Sequence, residues 1–248
     1  MMRSGYVVVL LGALIIGWSI PADAQNTPFK YQFTPYVWLS GLKGDVGARN
    51  QTANVNASFN DLLDHLDFGL MGAFEGRLGQ WRILTDTLYL DVSGEKGTPR
   101  PPFIDASVAT KAFIFDQEAG YQILKREGTD LDVTGGIRFW HLKNGLQLAR
   151  GAESLGIEHT RGWVDPVVGL RFSSDLPKRL FVTAKADIGG FDAAAHIDWQ
   201  AYGGIGLKFN DRLVGSIGYR NLSVDYMKDG FTFDAGMRGL VLDLGLRF

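Results

Sequence analysis

The chain has 248 residues and not one cysteine. That excludes a disulfide framework, a thiolate metal centre and a thiol nucleophile. Past residue 24 it has no apolar run near the ~18 residues that a spanning helix needs. It lacks a sustained apolar period of 3.6, which argues against a helical bundle. It also lacks an excess of charge of one sign. Lys and Arg number 25, Asp and Glu 27, and the net charge is −2, so nucleic acid is not an expected partner. G-x-S-x-G, a phosphate loop, a dinucleotide fingerprint and a Cys/His zinc pattern are all missing. The expectation is a protein with no cofactor, no bound metal and no enzymatic activity.

What is present is informative. Glycine, at 32 residues, and aromatics, at 12%, lean towards a sheet with tight turns and close strand approach. Arg3, the apolar stretch from Tyr6 to Trp18, the break at Pro21 and the small-residue site Ala22-Asp23-Ala24 together read as a signal peptide. The expected organisation is a signal peptide over 1–24 and one domain over 25–248.

That domain shows period-two alternation in segments of about ten residues or more. Ten strands are predicted, at 29–44, 67–78, 81–93, 107–123, 130–144, 161–174, 180–190, 197–209, 212–225 and 231–248. Eight or twelve remain the alternatives. Short joins such as Gly79-Gln80 and Asn210-Asp211 alternate with longer connections near 45–66, 94–106 and 145–160. This asymmetry marks a single antiparallel up-and-down transmembrane β-barrel in a bacterial outer membrane, all-β, with both termini periplasmic.

Charge decides which face is which, because an arginine or lysine on the lipid side at mid-bilayer costs about 2–4 kcal/mol. Leu78 and Trp81 share a face across their two-residue turn. With them go Phe68, Leu70, Phe74, Ile83 and Tyr89, so these point to lipid. The opposite face, followed around all the strands, is predicted to line the lumen. It carries eight acids: Glu75, Asp86, Asp116, Glu118, Asp132, Asp165, Asp187 and Asp243. It also carries eight bases: Arg77, Arg82, Arg138, Arg171, Lys185, Lys208, Arg220 and Arg247. A barrel of about ten strands is narrow, so these charges should pair across it as a polar plug with a thin water path at most. Neutralising Arg138 and Asp165 should cost stability if the lumen is a plug and chiefly change ion selectivity if it is a pore. Trp38, Trp81, Trp140, Trp163 and Trp199 are candidates for interfacial girdles, with plain strand packing as the alternative.

At the C-terminus Leu240, Leu242, Leu244, Leu246 and Phe248 share one face. A terminal Phe after such alternation resembles the signal read by the outer-membrane assembly machinery. The segments 35–44 (Pro-Tyr-Val-Trp-Leu-Ser-Gly-Leu-Lys-Gly), 68–77, 163–171 and Gly218-Tyr219-Arg220 resemble those of uncharacterised Gram-negative outer-membrane barrels of porin-like or OmpA/OmpX-like type. The resemblance implies the barrel and its location, and it brings no catalytic motif.

The chemistry on offer is sparse. His65, His141, His159 and His196 are expected at the extracellular side, and Ser40, Ser154 and Ser223 have no tight nucleophile motif around them. A rim set of Asp64, His65, Asp67 and Asp198 could be written for a protease. Asp61, Asp64 and Asp67 lack the dense oxygen spacing of a calcium loop. The expected function is a porin-like outer-membrane protein with a narrow salt-bridged lumen, a small or gated passive channel. The alternative is a structural barrel whose loops at 45–66 and 145–160 meet partners or lipopolysaccharide; an embedded hydrolase or protease stands third. The expected partners are outer-membrane lipids, lipopolysaccharide and the barrel-assembly machinery.

Overall fold

The structure, a computed structural model, describes residues 30–48, 51–97, 105–150 and 153–248. The expected signal peptide and the prolines Pro99, Pro101 and Pro102 lie outside the described residues. The elements are β1 (Lys30–Ala48), β2 (Gln51–Ala57), α1 (Phe59–Asp64), β3 (Leu66–Leu78), β4 (Trp81–Gly97) and β5 (Asp105–Arg126). They continue with β6 (Thr129–Arg150), β7 (Glu153–Asp175), β8 (Leu180–Gly190), β9 (Ile197–Lys208), β10 (Leu213–Lys228) and β11 (Phe231–Arg247). From β3 to β11 each strand pairs antiparallel with the next. β1 pairs with both β3 and β11, which closes a ten-stranded barrel. β2 is an added strand on the upper part of β1.

The expected long connections are mostly strand. β5, β6 and β7 run 22, 22 and 23 residues, and the β6–β7 pairing continues to Arg150 opposite Glu153. These hairpins carry on past the bilayer because an antiparallel pair goes on satisfying its backbone groups wherever the register holds. The stretch 45–66, expected to be a loop, holds the end of β1, then β2 and α1. Ser58 and Asp61 start the helix with reciprocal side-chain to backbone hydrogen bonds, Asp61 N to Ser58 Oγ at 3.2 Å and Ser58 N to Asp61 Oδ2 at 2.8 Å. Between these pieces the wall is interrupted. β1 leaves β3 after Pro35 and meets β2 only from Leu42, and across the gap Trp38 N donates to Met71 Sδ at 3.3 Å.

Side chains follow the two faces. Ile83, Ile137, Val168, Leu170, Ile205, Ile217, Leu242 and Leu244 are exposed on the outside and form an apolar belt. Polar side chains that face the belt satisfy each other: Thr85 Oγ1 donates to Gln117 Oε1 at 2.9 Å, and Gln117 Nε2 to the Leu84 carbonyl at 3.2 Å.

Above the belt the pattern inverts. On β11, Leu240, Leu242, Leu244 and Leu246 are exposed outside, whereas Phe231, Phe233, Ala235 and Met237 are buried inside and Asp234 and Arg238 face out. On β10 Ile217 and Tyr219 face out, whereas Leu222, Val224 and Tyr226 are buried inside. Where hydrocarbon surrounds the wall, the interior is polar. Where water surrounds it, the interior becomes an ordinary apolar core.

Closure at the β1–β11 seam demands a bare backbone. Gly239 lies opposite Ser40, and a β-carbon there would fall inside the van der Waals envelope of the Leu39 carbonyl. Gly239→Ala is expected to cost about 1–3 kcal/mol by overpacking. A lower urea midpoint of the detergent-folded barrel is the measurement.

Candidate functional site: the barrel lumen

The lumen is built in three layers from the short-turn end upward. The lowest is a polar cup. Arg77 pairs with Asp130 at 2.7 Å. Arg82 bonds Glu75 and lies 3.0 Å from Asp132, and Arg171 reaches the same Glu75 at 2.7 Å. Lys185 bonds Glu118 and lies 3.4 Å from Asp187. Nearer the mouth, Lys208 pairs with Asp175 at 2.6 Å, Arg247 Nε donates to Gln32 Oε1 at 2.8 Å, and Ser216 Oγ donates to Asp243. These walls enclose a cavity of about 1690 Å³ that reaches up to Asp116, Gln200 and Arg220.

The second layer is an ionic floor. Arg138, fully buried, meets Asp116 at 2.7 Å, Asp187 at 2.9 Å and Asp198 at 2.5 Å. Its planar fork of donors is what allows one cation to serve carboxylates from β5, β8 and β9 together. Gln200 Nε2 adds bonds to Asp187 at 2.7 Å and Asp116 at 3.2 Å. Beside it Arg220 pairs with Asp86 at 2.8 Å, Tyr36 donates to the same carboxylate at 2.6 Å, and the Arg220 guanidinium lies 4.9 Å from the centre of the Trp38 ring.

The third layer is aromatic. Trp140 and Trp163 stack at 5.5 Å, and Tyr226 stacks on Trp163 at 4.1 Å. The indole nitrogens point down and join the layers: Trp140 Nε1 donates to Asp198 and Trp163 Nε1 to Asp165, each at 2.8 Å. The connection from β8 to β9 folds over them, with Ala195 buried and its N–H donating to Asp165 at 2.8 Å.

The likeness to solved structures fits this architecture. No family model and no curated protein matches the chain. Among solved structures it is similar to the outer membrane protease OmpT of Escherichia coli, at 10% identity, over 91% of this chain and 100% of that one, with a TM-score of 0.50. Others are the translocator domain of the autotransporter NalP of Neisseria meningitidis (14% identity, 90% of each chain, TM-score 0.47) and the attachment invasion protein Ail of Yersinia pestis (11% identity, 90% and 99%, TM-score 0.35). The fold is that of a bacterial outer-membrane β-barrel. The resemblance read from the sequence holds at the level of that fold.

In this outer-membrane barrel the inward charges do not all pair with one another, and the rim set is not assembled. Arg138 and Asp165 are neighbours in register, yet Arg138 turns to three other aspartates while Asp165 takes its bonds from Trp163 and Ala195. The interior is not polar throughout, because its upper part is the aromatic layer. Trp38, Trp140 and Trp163 belong to that interior, while Trp81 is exposed outside, 5.0 Å from Tyr121. Asp198 is not at the rim with His65. It is buried on Arg138, while His65 sits exposed beside α1 with Nδ1 2.8 Å from the Asp61 carbonyl. β9 is short, so its second residue already lies at floor depth.

The other histidines are apart from one another. His141 stacks on Phe139, His159 on Phe231, and exposed His196 pairs with Asp192 at 2.6 Å. Among the described residues no group of three or more His, Cys, Asp or Glu is arranged to hold a metal. Asp130, Gln200 and Tyr36 are lumen residues that the sequence reading left out, and Asp198 is one that it gave to the rim. Asp130 sits next to a turn, and the uncharged pair carries no sign to flag it.

Proposed function

We propose that this is an outer-membrane barrel that keeps its lumen shut, a structural and ligand-binding barrel rather than an open diffusion pore. One observation carries the reading: Arg138 and its three carboxylates lie across the lumen directly beneath a stacked tryptophan pair. Ions crossing there would have to part a buried ion network and displace packed aromatic rings, and both are costly. The cup below that floor opens on the short-turn end, which is periplasmic in such barrels. The upper strands of β5, β6 and β7 extend towards the cell surface, where lipopolysaccharide and other surface partners are within reach.

The test is planar-bilayer recording of the purified full chain at low voltage. A quiet baseline is expected under conditions in which a known porin gives steps. Reproducible single-channel steps that change ion selectivity in Asp116→Asn would overturn the reading and restore the passive channel.

A further inference from the structure

We infer that the periplasm-facing cup binds a multivalent anion bearing phosphate or carboxylate groups. The inference rests on the closed-lumen reading, since a cup needs a floor. The first observation is an imbalance of partners at the mouth. Lys30, Lys125, Arg126, Arg212 and Arg247 all line the cavity. Among the described residues none of these five makes an ion pair; Arg247 has the neutral Gln32, and the side chains of the other four have no polar partner. Two cavity-lining carboxylates, Asp211 and Asp243, likewise lack a cation. The terminal carboxylate of Phe248 lines the same opening, so five cations against three acids leave an excess of two positive charges around it.

The second observation lies deeper. Arg171 Nη1 and Arg220 Nε are buried N–H groups without a hydrogen-bond acceptor, Arg171 Nη1 lying 3.7 Å from Asp132 Oδ2; both residues belong to the wall or floor of the same cavity, where Glu118 Oε2 is a buried acceptor without a donor. Buried donors of this kind are uncommon because each forfeits a hydrogen bond. An anion with several oxygens, entering from the mouth, would give acceptors to these donors and charge to the rim at once. Guanidinium groups favour planar or tetrahedral oxyanions, which fixes the class as phosphate or carboxylate rather than halide. A cavity of about 1690 Å³ exceeds the roughly 300–1,000 Å³ of ordinary small-molecule pockets, so it has room for a ligand with several charged groups. Such groups could come from a soluble oligoanion or from an inner-leaflet lipid headgroup.

Sodium tripolyphosphate, titrated calorimetrically into the full chain in neutral detergent at low salt, is the probe. Saturable binding is expected, weakened about tenfold or more in Arg126→Gln/Arg212→Gln and weakened by added salt. Lys178→Gln, in a turn at the same end but not lining the cavity, should leave it unchanged. Competition with short-chain phosphatidylglycerol then assigns the source: displacement indicates a headgroup, no displacement a soluble anion, and both support the site. Absence of binding at millimolar probe, or equal loss in Lys178→Gln, would overturn it. Circular dichroism of each variant separates lost binding from lost folding. Channel steps in the bilayer would defeat the closed-lumen reading without altering the calorimetric result.

Discussion

Arg138→Met is expected to destabilise the folded barrel by about 3–5 kcal/mol, the range for removing one partner from a buried ion network. The loss exceeds that of a surface ion pair because the three carboxylates stay behind in a sealed layer. Lys185, 3.4 Å from Asp187, and Arg220, 4.0 Å from Asp116, can take up only part of the charge, since both already hold Glu118 and Asp86. Arg138→Lys keeps the charge but not the fork, so a loss smaller than that of methionine is expected. Combining Arg138→Met with Asp116→Asn, Asp187→Asn and Asp198→Asn should recover most of the stability. The penalty is the unpaired carboxylates, not the missing arginine itself, and the residues share one network and will not behave additively. The urea midpoint of the detergent-folded protein, followed by the shift between folded and unfolded bands on a gel, reads all of these. Unchanged stability in Arg138→Met would mean that the floor is loose and hydrated.

Much of this was legible because the period of a strand is two and the bilayer punishes an error of one residue. The Gly79-Gln80 turn alone set the faces of β3 and β4. Ile83 and Leu70 on one side and Arg82 and Glu75 on the other sit as that count requires. What could not be read was which inward charge meets which. Arg138 bonds Asp198 sixty positions along the chain, and that contact depends on how far the strands are staggered around the barrel. The inversion of the interior was written in the sequence but hidden by its own regularity. On β11 the apolar residues occupy odd positions at Phe231, Phe233, Ala235 and Met237 and even positions from Leu240 to Leu246. Reading only the second run gives the lipid face. Reading both gives the height of the membrane boundary, between Met237 and Leu240, and with it the aromatic layer above the floor.

That boundary predicts opposite outcomes for one substitution made twice on the same face of one strand. Leu242→Arg puts a cation into the belt, with Val37 and Ile217 beside it across the two neighbouring strands, and is expected to cost about 2–4 kcal/mol. Eight residues earlier Asp234 also faces outward, but its cross-strand neighbours are Asp45 on β1 and Asp225 on β10. Burial, with the like charges of Asp225 and Asp45, holds the Asp234 carboxyl above the usual carboxylate range. A raised folded-state pKa means that the native protein favours the protonated acid: this stabilisation is present at low pH and lost as pH rises through that pKa. Asp234→Arg removes the repulsion and sets a cation between two acids, so at neutral pH it should be neutral or gain up to about 1 kcal/mol. The variant should also lose the part of the gain on acidification that Asp234 supplies. Urea midpoints of the two variants at neutral and mildly acidic pH make the comparison. If Leu242→Arg proved as harmless as Asp234→Arg, the outer surface would face water along its whole height, and the polar cup could not be the interior of a membrane-spanning wall.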